Sequence, residues 1–169
     1  IKEKKIIKGE KYIFCYVLGN NPEQRLEVEK LKKATGYKIV FIPHLDEFIE
    51  SDIKFGDEQL YKVGPEEFVN LIRNAEYVCT DSFHGSVFSI LNHKKFVTFN
   101  RFKTSDTNSR NSRIDSLLKQ TGLMQRRYAG DLIKQIEKNI NYDEVESRLT
   151  KMREKSEIYL ETALKSIDK

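Results

Sequence analysis

No apolar run in the chain approaches the roughly 20 residues that a bilayer-spanning helix needs. The opening stretch Ile1–Ile7 lacks the apolar core of a signal peptide. A membrane span and a secretory leader are therefore not expected. The chain has no Met at its start, so it reads as the inside of a longer protein. Cysteine is scarce. Cys15 and Cys79 each fall in an apolar run typical of a covered strand, so two reduced core thiols are expected. The three histidines and two cysteines show no recognisable metal-ligand spacing, and no metal is expected. The excess of positive charge is only +4, too little to call for nucleic acid. No GxGxxG, Walker A or GxSxG pattern occurs, and no internal repeat, linker or low-complexity segment.

What is present suits one domain with a real core: 169 residues, 38% hydrophobic and 33% charged. Lys11–Leu18 is a continuous apolar run, as in a strand covered on both faces. Gly19, Asn20 and Asn21 end it, and Pro22 opens a helix that Gly36 stops. Lys38–Ile42 is a second strand. Strand, helix, strand over this distance predicts a parallel βαβ unit. Ser51–Asp57 reads as an exposed loop and Leu60–Val63 as a short third strand. Pro65 starts a helix with Phe68, Leu71, Ile72 and Ala75 on one stripe. Tyr77–Thr80 is the next strand, followed by the turn Asp81-Ser82 and a helix carrying Val87, Phe88, Ile90 and Leu91. Lys95–Phe99 is a further strand, and 100–112 a polar loop. Short helices follow around Ile114–Leu118 and Asp131–Asn139. Residues 143–167 form a long amphipathic helix with Val145, Leu149, Met152, Tyr159, Ala163 and Ile167 on one face. The alternation predicts a single α/β, Rossmann-like domain over 1–169, its open, mostly parallel sheet covered by helices on both faces.

In such a sheet, ligands bind outside the carboxyl ends of the strands. Three strand ends should meet there: Gly19–Asn21, Pro43-His44 and Asp81–Ser86, joined by Asn100-Arg101. His84 falls at a strand's end and a helix's start, where N–H groups and the helix dipole favour an anion. Ser82, Ser86 and the backbone at Gly85 are candidate donors to the same anion. Gly19 and Asn20 could cradle phosphate, although a plain strand-to-helix turn explains them as well. His44 reads as a loop residue rather than a catalyst. Residues 94–113 hold six basic side chains against one acid, Asp106. If that loop folds over the strand ends, Arg101, Arg110 and Arg113 bring guanidinium forks to phosphate or carboxylate. The expected ligand is small and strongly anionic.

Thr80-Asp-Ser-Phe-His-Gly-Ser-Val-Phe-Ser-Ile-Leu91 closely resembles the signature of the polysaccharide pyruvyl transferase family. Tyr16–Pro22, Ile42–Leu45, Gly64–Phe68, Asn74–Val78, Phe96–Phe99 and Asn111–Asp115 are similar to its bacterial members, so the resemblance covers roughly 11–125. It implies half of a glycosyltransferase-B-like enzyme, the C-terminal, donor-binding half, with a missing N-terminal domain of the same chain as partner. It implies a cytoplasmic enzyme, at most peripheral at the inner face of the membrane. The implied reaction moves pyruvate from phosphoenolpyruvate, a donor substrate and not a cofactor, onto two hydroxyls of a sugar or lipid-linked glycan as a cyclic ketal. By that motif His84 binds the donor and is a candidate general acid. Some members carry Arg-Leu-His where this chain has Ser82-Phe83-His84, so the missing charge must come from elsewhere. The competing readings are a glycosyltransferase or epimerase of the same architecture using a nucleotide sugar, and a non-catalytic binding domain that assembles through its last helix.

Overall fold

The computed structural model describes residues 6, 7, 9–101 and 111–167. The apolar run after Lys11 forms β1 (Tyr12–Tyr16), followed by α1 (Pro22–Thr35) and β2 (Lys38–Phe41). A single 3-10 turn (Glu50–Asp52) leads to β3 (Glu58–Gln59), α2 (Pro65–Asn74), β4 (Tyr77–Thr80), α3 (Phe83–Leu91) and β5 (Lys95–Thr98). The residues described from 111 onward form α4 (Asn111–Thr121), a second 3-10 turn (Met124–Arg126), α5 (Leu132–Glu137) and α6 (Tyr142–Ile167), and the expected polar loop over 100–112 lies largely outside the described residues. The helix boundaries follow local chemistry. The Asn21 side chain accepts the Glu23 N–H at α1's start, and Gly36 ends α1 in the left-handed region at φ 72°. Asp131 caps α5 in the same way.

The five strands are parallel, in the order β3-β2-β1-β4-β5. Phe14, Val40, Val78 and Phe96 point to one face, where α2, α3 and α4 supply Leu71, Ile72, Ile90 and Leu118. Ile13, Cys15, Ile39, Cys79 and Val97 point to the other, under Val28 and Leu31 of α1 and Leu132 and Ile136 of α5. Period-2 alternation thus feeds two cores, which is why the strands read as unbroken apolar runs. Cys15 and Cys79 stand opposite each other in register, both free and fully buried. Burial pushes both thiols well up, so neither is a thiolate at neutral pH.

Three expectations change. The third strand is Glu58–Gln59, not Leu60–Val63, and pairs with Val40 and Phe41. It is an edge strand, bonded on one side only, so the apolar signal used to place it was absent. Ser51–Asp57 is not simply an exposed loop. Asp52 and Phe55 are buried, and the Phe55 ring meets Phe41 edge-on at 4.9 Å. On α6 the apolar face packs only over its first turns. Val145 is buried and Leu149 and Met152 half-buried, while Tyr159 is 75% exposed. The partner surface is α4, and α6 outruns it.

Arg126 is fully buried and has no carboxylate partner among the described residues. Its guanidinium donates to the carbonyls of Gln135 (3.1 Å), Ile136 (3.4 Å), Asn139 (3.3 Å) and Lys138. These carbonyls lie in the last turn of α5 and just beyond it, where a helix has no further N–H of its own to offer.

Gly85 allows α3 to lie against β4. A Cβ there would sit 2.4 Å from Thr80 Oγ1. That hydroxyl cannot turn away, since it donates to Tyr16 O at 2.5 Å and accepts the Ser82 N–H at 3.0 Å. Gly85→Ala is therefore expected to cost about 1–3 kcal/mol, read as a lower urea midpoint with an unchanged slope. An unshifted midpoint would show that the contact yields easily.

Candidate functional site at the carboxyl edge of the sheet

The chain steps from β1 to β2 in one direction and later returns to place β4 on β1's other flank. Between β1 and β4 the strand order reverses, and the crevice outside those two ends is where an open α/β sheet takes its ligand. Here Asp81 occupies the inner part of that crevice. Its Oδ1 accepts the Leu18 N–H at 2.7 Å and its Oδ2 accepts the Gly19 N–H at 2.9 Å. The expected phosphate cradle at Gly19 is corrected by this pairing: its amide already serves a carboxylate. A Cβ at position 19 would stand 2.9 Å from Asp81 Oδ2 and 3.4 Å from Arg101 Cγ, so glycine is needed for close approach on both sides. Asn20 lies outside this knot and is exposed. Burial raises the Asp81 carboxyl above its ordinary value, while the two N–H groups, Arg101 and Arg25 pull it back.

At the start of α3, the Ser82 side chain caps the helix by accepting the Gly85 N–H. Ser86 is buried and its hydroxyl donates to Ser82 O at 2.9 Å, with the Thr98 hydroxyl also 2.9 Å away. Ser86 thus ties α3 to β5, and Gly85 packs on Thr80, so neither serves as the open donor expected of it. His84, by contrast, is exposed and makes no hydrogen bond among the described residues. The Arg113 guanidinium, from α4, covers the neighbouring Phe83 ring at 4.7 Å. A cleft of about 420 Å³ lies beside this pair, with Ser112, Ser116 and Met152 in its wall. Arg101 stands at the β1 side, against Gly19. Arg110 lies outside the described residues. The structure therefore brings His84 and Arg113 to one helix start and Arg101 to the neighbouring strand ends.

A second cleft, of about 350 Å³, opens where β1, β2 and β5 end. Tyr16, Leu18, Pro43, His44, Glu47 and Arg101 line it, so of the expected strand ends Pro43-His44 and Arg101 meet here, while Gly19–Asn21 and Asp81–Ser86 are not in its wall. Behind it lies a buried ionic cluster that sequence reasoning missed. Arg25 Nε donates to Asp52 Oδ1 at 2.7 Å, and its Nη2 approaches the same oxygen as an ion-pair partner without hydrogen-bond alignment. Arg25 Nη1 donates to Gly19 O (3.2 Å) and Asn21 O (3.1 Å). His44 Nδ1 is 2.7 Å from Asp52 Oδ2, which also accepts the His44 backbone N–H at 3.2 Å. Burial would raise Asp52, but His44 and Arg25 together hold it below its ordinary value. Arg25 was detectable: it shares helix spacing with buried Val28, a charge placed in an apolar stripe. His44 and Asp52 carry no such signal. Arg127 is a further cation at this edge, donating to Phe99 O at 3.0 Å and pairing with Asp115 at 3.0 Å.

Two measurements check these pairings. Asp81→Asn keeps one acceptor and turns an NH2 toward the other backbone N–H. It is expected to destabilise the chain by about 1–3 kcal/mol in urea, and a smaller loss would mean the strand ends hold without it. Asp52 is ionised more readily folded than unfolded. Its contribution is present above the ordinary value of 3.8 and is lost as pH falls through the lowered folded value. Acid titration of stability should show that step in the wild type and lack it in Asp52→Asn.

Residues 3–101, more than half of the chain, match the family model described as polysaccharide pyruvyl transferase. A comparison with curated protein sequences finds no match. Among solved structures, the glycotransferase of kitacinnamycin superposes with a TM-score of 0.53 at 11% identity, over 87% of this chain and 40% of that one. A UDP-GlcNAc 2-epimerase from Neisseria meningitidis, bound to UDP-GlcNAc, gives 0.48 at 14% identity, over 90% of this chain and 38% of that one. At 11% identity the glycotransferase likeness shows the fold alone, and this chain spans 40% of its length. No helix among the described residues is long and apolar enough to cross a membrane. Signature residues at the end of β4, a parallel Rossmann-like sheet and the family match over β1 to β5 agree: the chain belongs to the polysaccharide pyruvyl transferase family.

Proposed function

We propose that this domain binds phosphoenolpyruvate at the start of α3 and supplies His84 to its transfer as pyruvate onto a sugar of a bacterial surface or exopolysaccharide. Family membership supports a transferase of polysaccharides. The observation that carries the donor assignment is His84, exposed and with a ring that makes no hydrogen bond among the described residues, on the first turn of a nine-residue helix at the sheet's carboxyl edge. The Ser82, Gly85 and Ser86 amides are taken by Thr80 Oγ1, Ser82 Oγ and Ser82 O. The Phe83 and His84 amides are then the open donors of that turn, at the positive end of the helix dipole. Arg113 and Arg101 flank this place and answer for the charge that Ser82 does not bring.

The chemistry fits such a group. The donor's C=C pair takes a proton at its terminal carbon, and the neighbouring carbon becomes oxocarbenium-like. One sugar hydroxyl adds there, and a second replaces phosphate to close the ketal. An imidazolium beside the phosphate is suited to give the first proton. The domain covers 40% of the solved glycotransferase it matches, so we read it as one half of a two-domain enzyme with the active site between the halves.

The test is a titration of the chain with phosphoenolpyruvate, followed by backbone amide shifts, with uridine diphosphate as control. Shifts centred on residues 82–86 and Arg101, lost in His84→Ala, are expected. A response to the nucleotide alone would move the assignment to a nucleotide-sugar enzyme, and silence toward both would remove the donor from this domain. In the complete enzyme, His84→Ala should abolish transfer with an unchanged fold.

A further inference from the structure

One cation beside the start of α3 has no carboxylate to answer it. Arg113, in the first turn of α4, is exposed, and among the described residues its guanidinium meets only the Phe83 ring, at 4.7 Å. The acid closest to it in sequence, Asp115, is paired with Arg127 at 3.0 Å. Arg101, the cation of the neighbouring strand ends, stands against Gly19 and acts on the Asp81 carboxyl. Arg113 also sits at the helix end where a positive charge is disfavoured, in a first turn that holds no acid. A guanidinium so placed serves stability little and stays available to an anion.

Phe83 joins that guanidinium to the donor place. It is the first residue of α3, and its own N–H is one of the two open amides of the turn. Its ring is half-buried and packs on the core beneath α3, so it offers a fixed platform to a long, mobile side chain. Ring and guanidinium both belong to the wall of the 420 Å³ cleft, together with Ser112 and Ser116. Phe83 is thus part of the anion-binding turn and of the cleft wall at once.

We propose that Phe83 is a positioning residue, whose ring seats Arg113 so that the guanidinium holds the donor's carboxylate in this cleft while the phosphate lies on the Phe83 and His84 amides. The inference rests on the phosphoenolpyruvate reading of the α3 site. A guanidinium presents two parallel N–H bonds to a carboxylate along its edge and stacks on a ring with its face, so the two contacts do not compete. A lysine has neither the plane nor the fork. The donor's two anionic groups are then read by different partners. Amides and an imidazole take the phosphate; a guanidinium takes the carboxylate, with the Ser112 and Ser116 hydroxyls as further donors in the same wall.

The test is a binding cycle on the chain at physiological salt, with phosphoenolpyruvate and inorganic phosphate as probes, each followed by the amide shifts of residues 82–86. Arg113→Ala is expected to weaken phosphoenolpyruvate binding about 10- to 100-fold, the loss of charge-assisted hydrogen bonds. Phe83→Leu keeps an apolar side chain but removes the ring, and should weaken it about 2- to 30-fold. Phe83→Tyr, which restores a ring, should bind as the wild type does. The double variant Phe83→Leu with Arg113→Ala should be no weaker than Arg113→Ala alone, because the ring acts only through the guanidinium. Phosphate binding should fall no more than about threefold in any variant, the effect of one screened charge. A merely structural role for the ring would lower the response to both probes together. Wild-type affinity in Arg113→Ala or Phe83→Leu, losses that multiply in the double variant, or an equal loss of phosphate binding overturns the inference. Arg113→Ala, at an exposed position, decides even if Phe83→Leu fails to fold. Phosphoenolpyruvate shifts at 82–86 that no variant alters remove this inference alone. A wild type silent toward phosphoenolpyruvate removes the donor reading, and this inference with it.

Discussion

The carboxyl edge of this sheet depends on one buried carboxylate. Asp81, at the end of β4, accepts two backbone N–H groups from the end of β1 and thereby joins the two strands where the order of the sheet reverses. Strand pairing alone ends at Tyr16 and Thr80. Beyond it the backbone would splay, and N–H groups shielded from water would need partners. Asp81 supplies them and fixes the direction in which the chain leaves for α1 and α3. Glycine at 19 follows from that closeness, as does the stacking of Arg101 over the same turn. In many nucleotide-binding sheets, N–H groups at this place hold phosphate. Here the protein carries its own anion there, the Asp81 carboxylate, so the Leu18 and Gly19 N–H groups are already engaged.

This arrangement splits the edge into two regions of different chemistry. On the α3 side are open amides, an exposed imidazole and Arg113 on the Phe83 ring. On the β2 side are carboxylates, a buried imidazole and Arg25 behind Asp52. Arg101 stands on the β2 side, in the cleft wall and against Gly19. Asp81 stands between the two regions, with burial holding its proton more tightly than water would.

The βαβ rhythm, the caps at Asn21, Gly36 and Ser82, and the core strands were legible in the sequence, because each rests on local chemistry or short-period patterning. His84 was legible because its neighbours form a signature. What escaped depends on pairing across the fold. Gly85 looks like a ligand's glycine until Thr80 is seen beneath it. Ser86 looks like a donor until Thr98 is found beside its hydroxyl. His44 and Asp52 are eight residues apart in a segment with no periodicity, and only the turn at Glu50–Asp52 brings them together. Arg126 reads as one more surface cation, yet it is buried against the carbonyls of a short helix.

The last helix has a consequence of its own. At 1.5 Å per residue, the 26 residues of α6 make a rod about 39 Å long. Beyond Met152 the side chains of residues 153–166 are exposed except for the half-buried Ala163, so more than half of that length has little packing to hold it. An isolated helix of about 15 residues, the length beyond Met152, is at the edge of stability in water because its first turn is costly to form. Here the first turn is already built, anchored by Val145 and by the Tyr142 hydroxyl donating to Lys94 O at 2.5 Å. The outer turns inherit their order by propagation from that nucleus, helped by pairs such as Glu161 with Lys165. Cutting the anchor would therefore melt the helix from its root, although the root is the better-packed end.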